Sequence, residues 1–160
     1  LVTGEEKQLT TSGDNWPAGF ISDNEIIYNS EEYPNGKKKK TPTGEYTRPV
    51  GKSYIMNIET GEKRRLTTGE TSEGTIYSNL TSKYILFSAA TKDTNHDGII
   101  NKDDNYLTYL IKLDRTNLTE VKGLEAALEV SLSPNGKAIA YTNLLAPDKA
   151  DIYLIKTKIK

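Results

Sequence analysis

A chain of 160 residues and 17.8 kDa provides for one domain, or a piece of one, and not two. Its 21 Lys and Arg against 22 Asp and Glu leave a net charge of −1, without the basic excess that neutralising phosphates demands, so nucleic acid is not expected as a partner. Cysteine is absent and histidine occurs once, which excludes disulfides, thiolate metal sites, cysteine nucleophiles and multi-histidine chemistry. No apolar run approaches the ~20 residues of a membrane-spanning helix, so membrane insertion is not expected. No signal peptide heads the chain, which opens on Leu1 rather than Met, and the expectation is a mature product or an excised piece.

The elements expected along the chain are short strands. Lys7–Thr10 comes first, then Trp16–Phe20, a turn at Ser22-Asp23-Asn24 and the apolar run Ile26–Tyr28. A connection over 31–52, rich in Lys, Pro and Gly and centred on Lys37–Lys40, is expected to be a flexible, solvated insertion whose lysines Glu31 and Glu32 could pair. Ser53–Ile58 ends the first unit. The second unit has Thr75–Tyr77, a turn at Thr81-Ser82-Lys83, Tyr84–Ser88 and, after a polar loop, Leu107–Leu113. The third has Leu128–Leu132, the turn Ser133-Pro134-Asn135-Gly136, Ala138–Tyr141 and Asp151–Ile155. Runs of Ile, Tyr, Leu and Val bounded by Gly, Pro, Asn and Ser read as β throughout. Gly123–Val130 has the composition of a helix and is assigned to a strand from its place in the repeat.

That repeat is visible at the start of each unit. Thr3–Thr11 reads TGEEKQLTT and Thr60–Thr68 reads TGEKRRLTT, so that Leu9 and Leu66 stand 57 residues apart. Asn117–Gly123 is a weaker third copy, with Val121 in the place of the leucine. Self-similarity at a fixed period means one supersecondary unit used several times. Four strands per unit fit a propeller blade lengthened by insertions, a plain blade taking ~40–45 residues. The fold class expected is therefore all-β, with about three four-stranded antiparallel sheets as β-propeller blades over 12–67, 72–122 and 126–157, and a strand over 5–11 completing a blade. Three blades fall short of the about 4–8 that close a ring. Either the chain is part of a larger propeller, the reading favoured because repeat modules need neighbours to cover their faces, or half-rings associate head to tail and share blades.

The strongest chemical signal is the polar loop Asp93-Thr94-Asn95-His96-Asp97-Gly98-Ile99-Ile100-Asn101-Lys102-Asp103-Asp104, which fits D-x-[DN]-x-[DN]-G with an acid at position twelve. Alternation would turn the oxygens of Asp93, Asn95 and Asp97 inward, and the Ile99 carbonyl would add a main-chain donor. Asn101 would bind directly or through water, and Asp104, or the adjacent Asp103, would complete a Ca2+ shell. Gly98 permits the sharp turn, Ile100 is expected to anchor the loop on the apolar layer beneath, and His96 sits at a spacer position. A terminal Asp instead of Glu implies the moderate affinity suited to millimolar calcium, which points to a secreted, periplasmic or cell-surface location.

The order GExxxLT, SPNGKAIAY, DIYLI resembles the WD40-like repeat of TolB-type β-propellers. Ser133-Pro134-Asn135-Gly136-Lys137 matches that family's Ser-Pro-Asp-Gly-Lys turn most closely, while Ser22–Glu25 and Thr81–Lys83 depart from it. The acidic loop resembles the dockerin calcium loop and the calcium insertions of some propellers. No G-x-S-x-G elbow, H-E-x-x-H or P-loop is present, so no catalytic residue or organic cofactor is expected. The expected function is a non-catalytic extracytoplasmic module for protein–protein interaction or scaffolding, stabilised by structural calcium, with self-association as one route to a closed ring. The alternative is the propeller portion of a larger enzyme, a peptidase gate or polysaccharide lyase, whose catalytic residues lie elsewhere. Trp16 and Tyr77, at equivalent points of their units, are expected to pack between blades. Asn79-Leu80-Thr81 and Asn117-Leu118-Thr119 match the glycan acceptor pattern, a common triplet that carries little weight.

Overall fold

The computed structural model describes residues 4, 6–33, 48–77, 83–125, 127–146 and 149–157, and among them there is no helix. The strands are β1 (Asp14–Ser22), β2 (Glu25–Glu32), β3 (Val50–Asn57), β4 (Lys63–Arg65), β5 (Ser72–Ile76), β6 (Tyr84–Ala90), β7 (Leu107–Lys112), β8 (Thr119–Glu120), β9 (Ala127–Leu132), β10 (Ala138–Ala146) and β11 (Lys149–Lys156). They form three antiparallel sheets in sequence order: β1-β2-β3-β4, β5-β6-β7-β8 and β9-β10-β11.

Local chemistry sets the turns. Between β9 and β10 the Gly136 N–H donates to the Ser133 carbonyl at 2.8 Å with φ of +72°, a conformation open to glycine at no steric cost. The Asn135 carboxamide accepts from the Lys137 N–H at 3.0 Å, and the Ser133 hydroxyl accepts from the Ala138 N–H at 2.9 Å. Asn57 does the same work after β3, its side-chain oxygen accepting from the Glu59 and Thr60 N–H groups at 2.9 and 3.0 Å. Such side-chain mimicry of a backbone turn is why Asn recurs at these ends.

The sheets stack face to face through two apolar clusters. Ile27, Ile55 and Leu66 of the first sheet meet Ile85, Phe87, Ala89, Tyr109 and Ile111 of the second. Leu86 and Leu110, on the opposite face of the second sheet, meet Leu124, Leu132 and Ile139. Strand β6 is buried on both faces, so it reads as a continuous apolar run instead of an alternating one. A cross-strand aromatic pair recurs in the same ladder position of each sheet: Tyr28–Tyr54 at 5.6 Å, Phe87–Tyr109 at 6.1 Å and Tyr141–Tyr153 at 5.5 Å between centroids.

The structure adds to several expectations and corrects others. The third sheet has three strands among the described residues. The described residues 6–10 of the expected N-terminal strand belong to no strand. The ladder takes in both ends of the expected 31–52 insertion, with Glu31 opposite Gly51 and Glu32 opposite Val50. Its middle, including Lys37–Lys40, lies outside the described residues, as do the Asn79-Leu80-Thr81 triplet and the Thr81-Ser82 part of its turn. Glu31 pairs with Lys102, and Glu32 accepts the Tyr54 hydroxyl at 2.7 Å. Trp16 is 50% exposed because β1 is an edge strand, whereas Tyr77 does pack against the second cluster.

Where the first two sheets meet, the backbones themselves approach. A Cβ built on Gly51 would stand 1.9 Å from the Glu73 carbonyl oxygen, a distance at which one strand must move. Replacing Gly51 by Ala is expected to destabilise the chain by about 1–3 kcal/mol, the range for overpacking, read as a lowered urea midpoint with unchanged slope.

Candidate calcium loop and its junction with the first sheet

The loop 93–104 connects β6 to β7, and its polar side chains fold back on its own backbone. The Asp93 carboxylate accepts from the Asp97 N–H at 3.2 Å and the Gly98 N–H at 2.8 Å. Asn95 accepts the Asp97 N–H at 3.0 Å and donates to the Asp97 carboxylate at 3.2 Å. Asp97 accepts the Ile99 N–H at 2.9 Å. These are turns of the kind short Asx side chains make. The Asn101 side chain donates to the Ile99 carbonyl at 3.4 Å and accepts the Asp103 N–H at 2.7 Å.

Asp104 draws the two ends of the loop together. One oxygen accepts the Thr94 N–H at 2.6 Å, the Thr94 hydroxyl at 3.1 Å and the Asn95 N–H at 3.3 Å, and the other accepts the Asn101 N–H at 2.8 Å. Donation from the Asn101 backbone, and then from Thr94 and Asn95, holds its carboxyl below the usual aspartate range. Asn101 and Asp104 are buried, Asp93 is half-buried, and Asn95, Asp97 and the Ile99 side chain are exposed. Asp103 turns outward to Arg48 at 3.3 Å. Ile100 is half-buried and joins neither apolar cluster. His96 is exposed, with φ of +62°. Because each carboxylate is oriented by nearby N–H groups, no three acidic or histidine side chains gather as a metal-holding cluster among the described residues. A carboxylate oxygen that accepts one N–H retains a second lone pair.

The loop leans on the first sheet through Lys102–Glu31 and Arg48–Asp103, beside a buried polar junction that the sequence did not announce. Glu73 enters it from β5 with its side chain fully buried, and Arg65 Nη2 of β4 pairs with it at 3.0 Å. The Thr67 and Thr71 hydroxyls both donate to that same oxygen, and the other accepts the Ser53 N–H at 2.6 Å. Lys52 Nζ reaches the Thr71 carbonyl at 2.8 Å, and burial, then the nearby Arg65, pulls its pKa down. The Gly51 N–H donates to the Ser72 hydroxyl at 3.0 Å, which shares a hydrogen bond of 2.6 Å with Tyr106. Burial raises the Tyr106 pKa, keeping the phenol neutral. Arg65 Nε is buried without a partner. Nothing in the local sequence separates Glu73 from a solvated glutamate, since it is the packing of β5 against the first sheet that buries it and brings it to the Ser53 N–H, 20 residues earlier in the chain.

Sequential antiparallel sheets stacked face to face are β-propeller blades. One solved structure similar to this chain is TolB from Acinetobacter baumannii, with a TM-score of 0.59 and 14% identity over 94% of this chain. The chain spans 32% of the length of that protein, and the likeness is one of fold. No protein-family model and no curated protein matches the sequence.

Two outcomes follow from this geometry. Glu73→Ala strands two threonine hydroxyls, the Ser53 N–H and a guanidinium that keeps some access to water. It is therefore expected to cost about 3 kcal/mol, the lower end for a broken buried pair. Glu25→Ala, which breaks the partly exposed pair with Arg64, should cost less than about 1 kcal/mol in the same urea titration. Asp104 binds a proton less readily folded than unfolded, so its contribution is complete above the unfolded value of ~3.9 and is lost as pH falls toward the lower folded value. Amide exchange at Thr94 and Asn101 should accelerate below about pH 4, and Asp104→Asn should remove that acid step.

Proposed function

We propose that this chain is a non-catalytic propeller segment that acts outside the cytoplasm as a rigid frame for protein contacts. One structural calcium ion is held by Asp93, Asn95, Asp97, the Ile99 carbonyl, Asn101 and Asp104. The observation that carries the calcium reading is the spacing of six oxygen donors over twelve residues, with the buried Asp104 tied to the second, third and ninth positions. The donor set is all oxygen, the hard chemistry that calcium takes at six to eight ligands. Asp93, Asp97 and Asp104 also bring three negative charges into one short loop, which a divalent cation would neutralise.

Calcium in this reading supplies cohesion and no chemistry. Lys102 and Asp103, at positions facing away from the ion, leave the loop free to brace the first sheet through Glu31 and Arg48. The extracytoplasmic placement rests on the terminal Asp, whose weaker grip suits calcium-rich surroundings. The contact role rests on the architecture, since stacked sheets present many loops on an unyielding frame.

Calorimetric titration of chelator-treated protein should give one calcium per chain with a Kd of about 10⁻⁴–10⁻³ M. Chelation should speed amide exchange over residues 91–105 more than over β9–β11. Absence of binding heat together with unchanged exchange would overturn the calcium reading.

A further inference from the structure

We propose that the groove where β1 and β2 face β5 is a saccharide site, with Trp16 as the platform for an uncharged sugar ring. The inference rests on the groove alone and does not depend on calcium.

Both walls of the groove belong to this chain. Trp16 of β1 stands opposite Asn29 of β2, and residues opposite each other in an antiparallel pair share a face. By alternation that face also carries Ile27 and Glu31. Ile27 packs against the second sheet, and the Asn29 carboxamide donates to the Gly74 carbonyl of β5. Trp16 is therefore turned toward the second sheet, yet its indole stands half in solvent and joins neither apolar cluster.

The space in front of it is left by β5. Its ladder with β6 holds at Ser72 and Glu73 and resumes at Ile76, leaving Gly74 and Thr75 against Ser88 alone, a bulge. A Cβ built on Gly74 would stand 2.6 Å from Ser88 Oγ and 2.9 Å from Tyr106 Cε1, so the glycine lets the Tyr106 ring lie against the strand. The result is a groove of about 480 Å³ lined by Trp16, Thr75, Tyr106, Glu31 and Lys102 among others, within the ~300–1,000 Å³ of small-molecule sites.

The lining selects a ligand without net charge. Its ionic groups are already matched, Glu31 with Lys102 and Glu73 with Arg65, so an ionic ligand would have to break one of these pairs. Hydroxyl groups can donate to the Glu31 carboxylate and accept from the Lys102 ammonium at once, which leaves the pair intact. Thr75 adds a hydroxyl of its own. The exposed indole takes the C–H face of a sugar ring, the half-apolar, half-wet surface to which tryptophan is suited. An extended peptide fits less well. Although β1 has one strand partner among the described residues, it carries Pro17, which has no N–H, and its register shifts at Pro17–Gly19 and again at Phe20–Ser22. Both features blunt strand addition.

Trp16 is the only tryptophan of the chain, so its fluorescence reports on this groove alone. Titration with a cello-oligosaccharide or a chito-oligosaccharide, both uncharged, should shift the emission to saturation in at least one case. A galacturonan oligosaccharide, which is anionic, should bind more weakly. Thr75→Tyr keeps the fluorophore and fills the groove from an exposed position, and it should abolish the shift. Trp16→Ala, followed by calorimetry, should weaken binding about tenfold, the loss of one aromatic contact, while circular dichroism still reports a folded β protein. The proposal is overturned by no emission shift with either uncharged saccharide, by a shift that survives Thr75→Tyr, or by undiminished binding to Trp16→Ala. Tighter binding of the anionic saccharide, or of a proline-rich peptide, would overturn it as well.

Discussion

A buried carboxylate holds the first two sheets in register. Apolar contacts between sheets are non-directional and would tolerate sliding, but Glu73 accepts from a backbone N–H on β3, a guanidinium on β4 and two threonine hydroxyls between the sheets. Displacing either sheet leaves an anion in an apolar boundary without donors, which costs far more than the pair gains in place. Gly51 allows this proximity, because its missing side chain lets β3 reach the Glu73 backbone.

The acidic loop belongs to the same junction. Tyr106, just beyond Asp104, shares the Ser72 hydroxyl that accepts the Gly51 N–H, while Lys102 and Asp103 reach Glu31 and Arg48. Ordering the loop therefore means ordering a brace between neighbouring sheets. A bound cation would act on the frame through these contacts.

The three sheets are unequal because of their positions in the row. The second is covered on both faces and needs apolar residues on both sides of β6. The third keeps the cross-strand aromatic pair of the other two, Tyr141 against Tyr153, since the pattern is set by the repeated unit.

Alternation and turn chemistry were enough to determine the strands, the all-β class and turns such as Ser133–Gly136, because those depend on residues a few positions apart. The spacing of oxygen-bearing side chains likewise marked the 93–104 loop, each Asx turn being a local event. Tertiary structure alone decided that Lys7–Thr10 joins no strand among the described residues, that Trp16 stands half in solvent, and that Glu31 faces Lys102. It alone decided that Glu73 is the buried anion of the junction, since its donors come from segments up to 20 residues away and burial is a property of sheets brought together, not of any stretch of sequence.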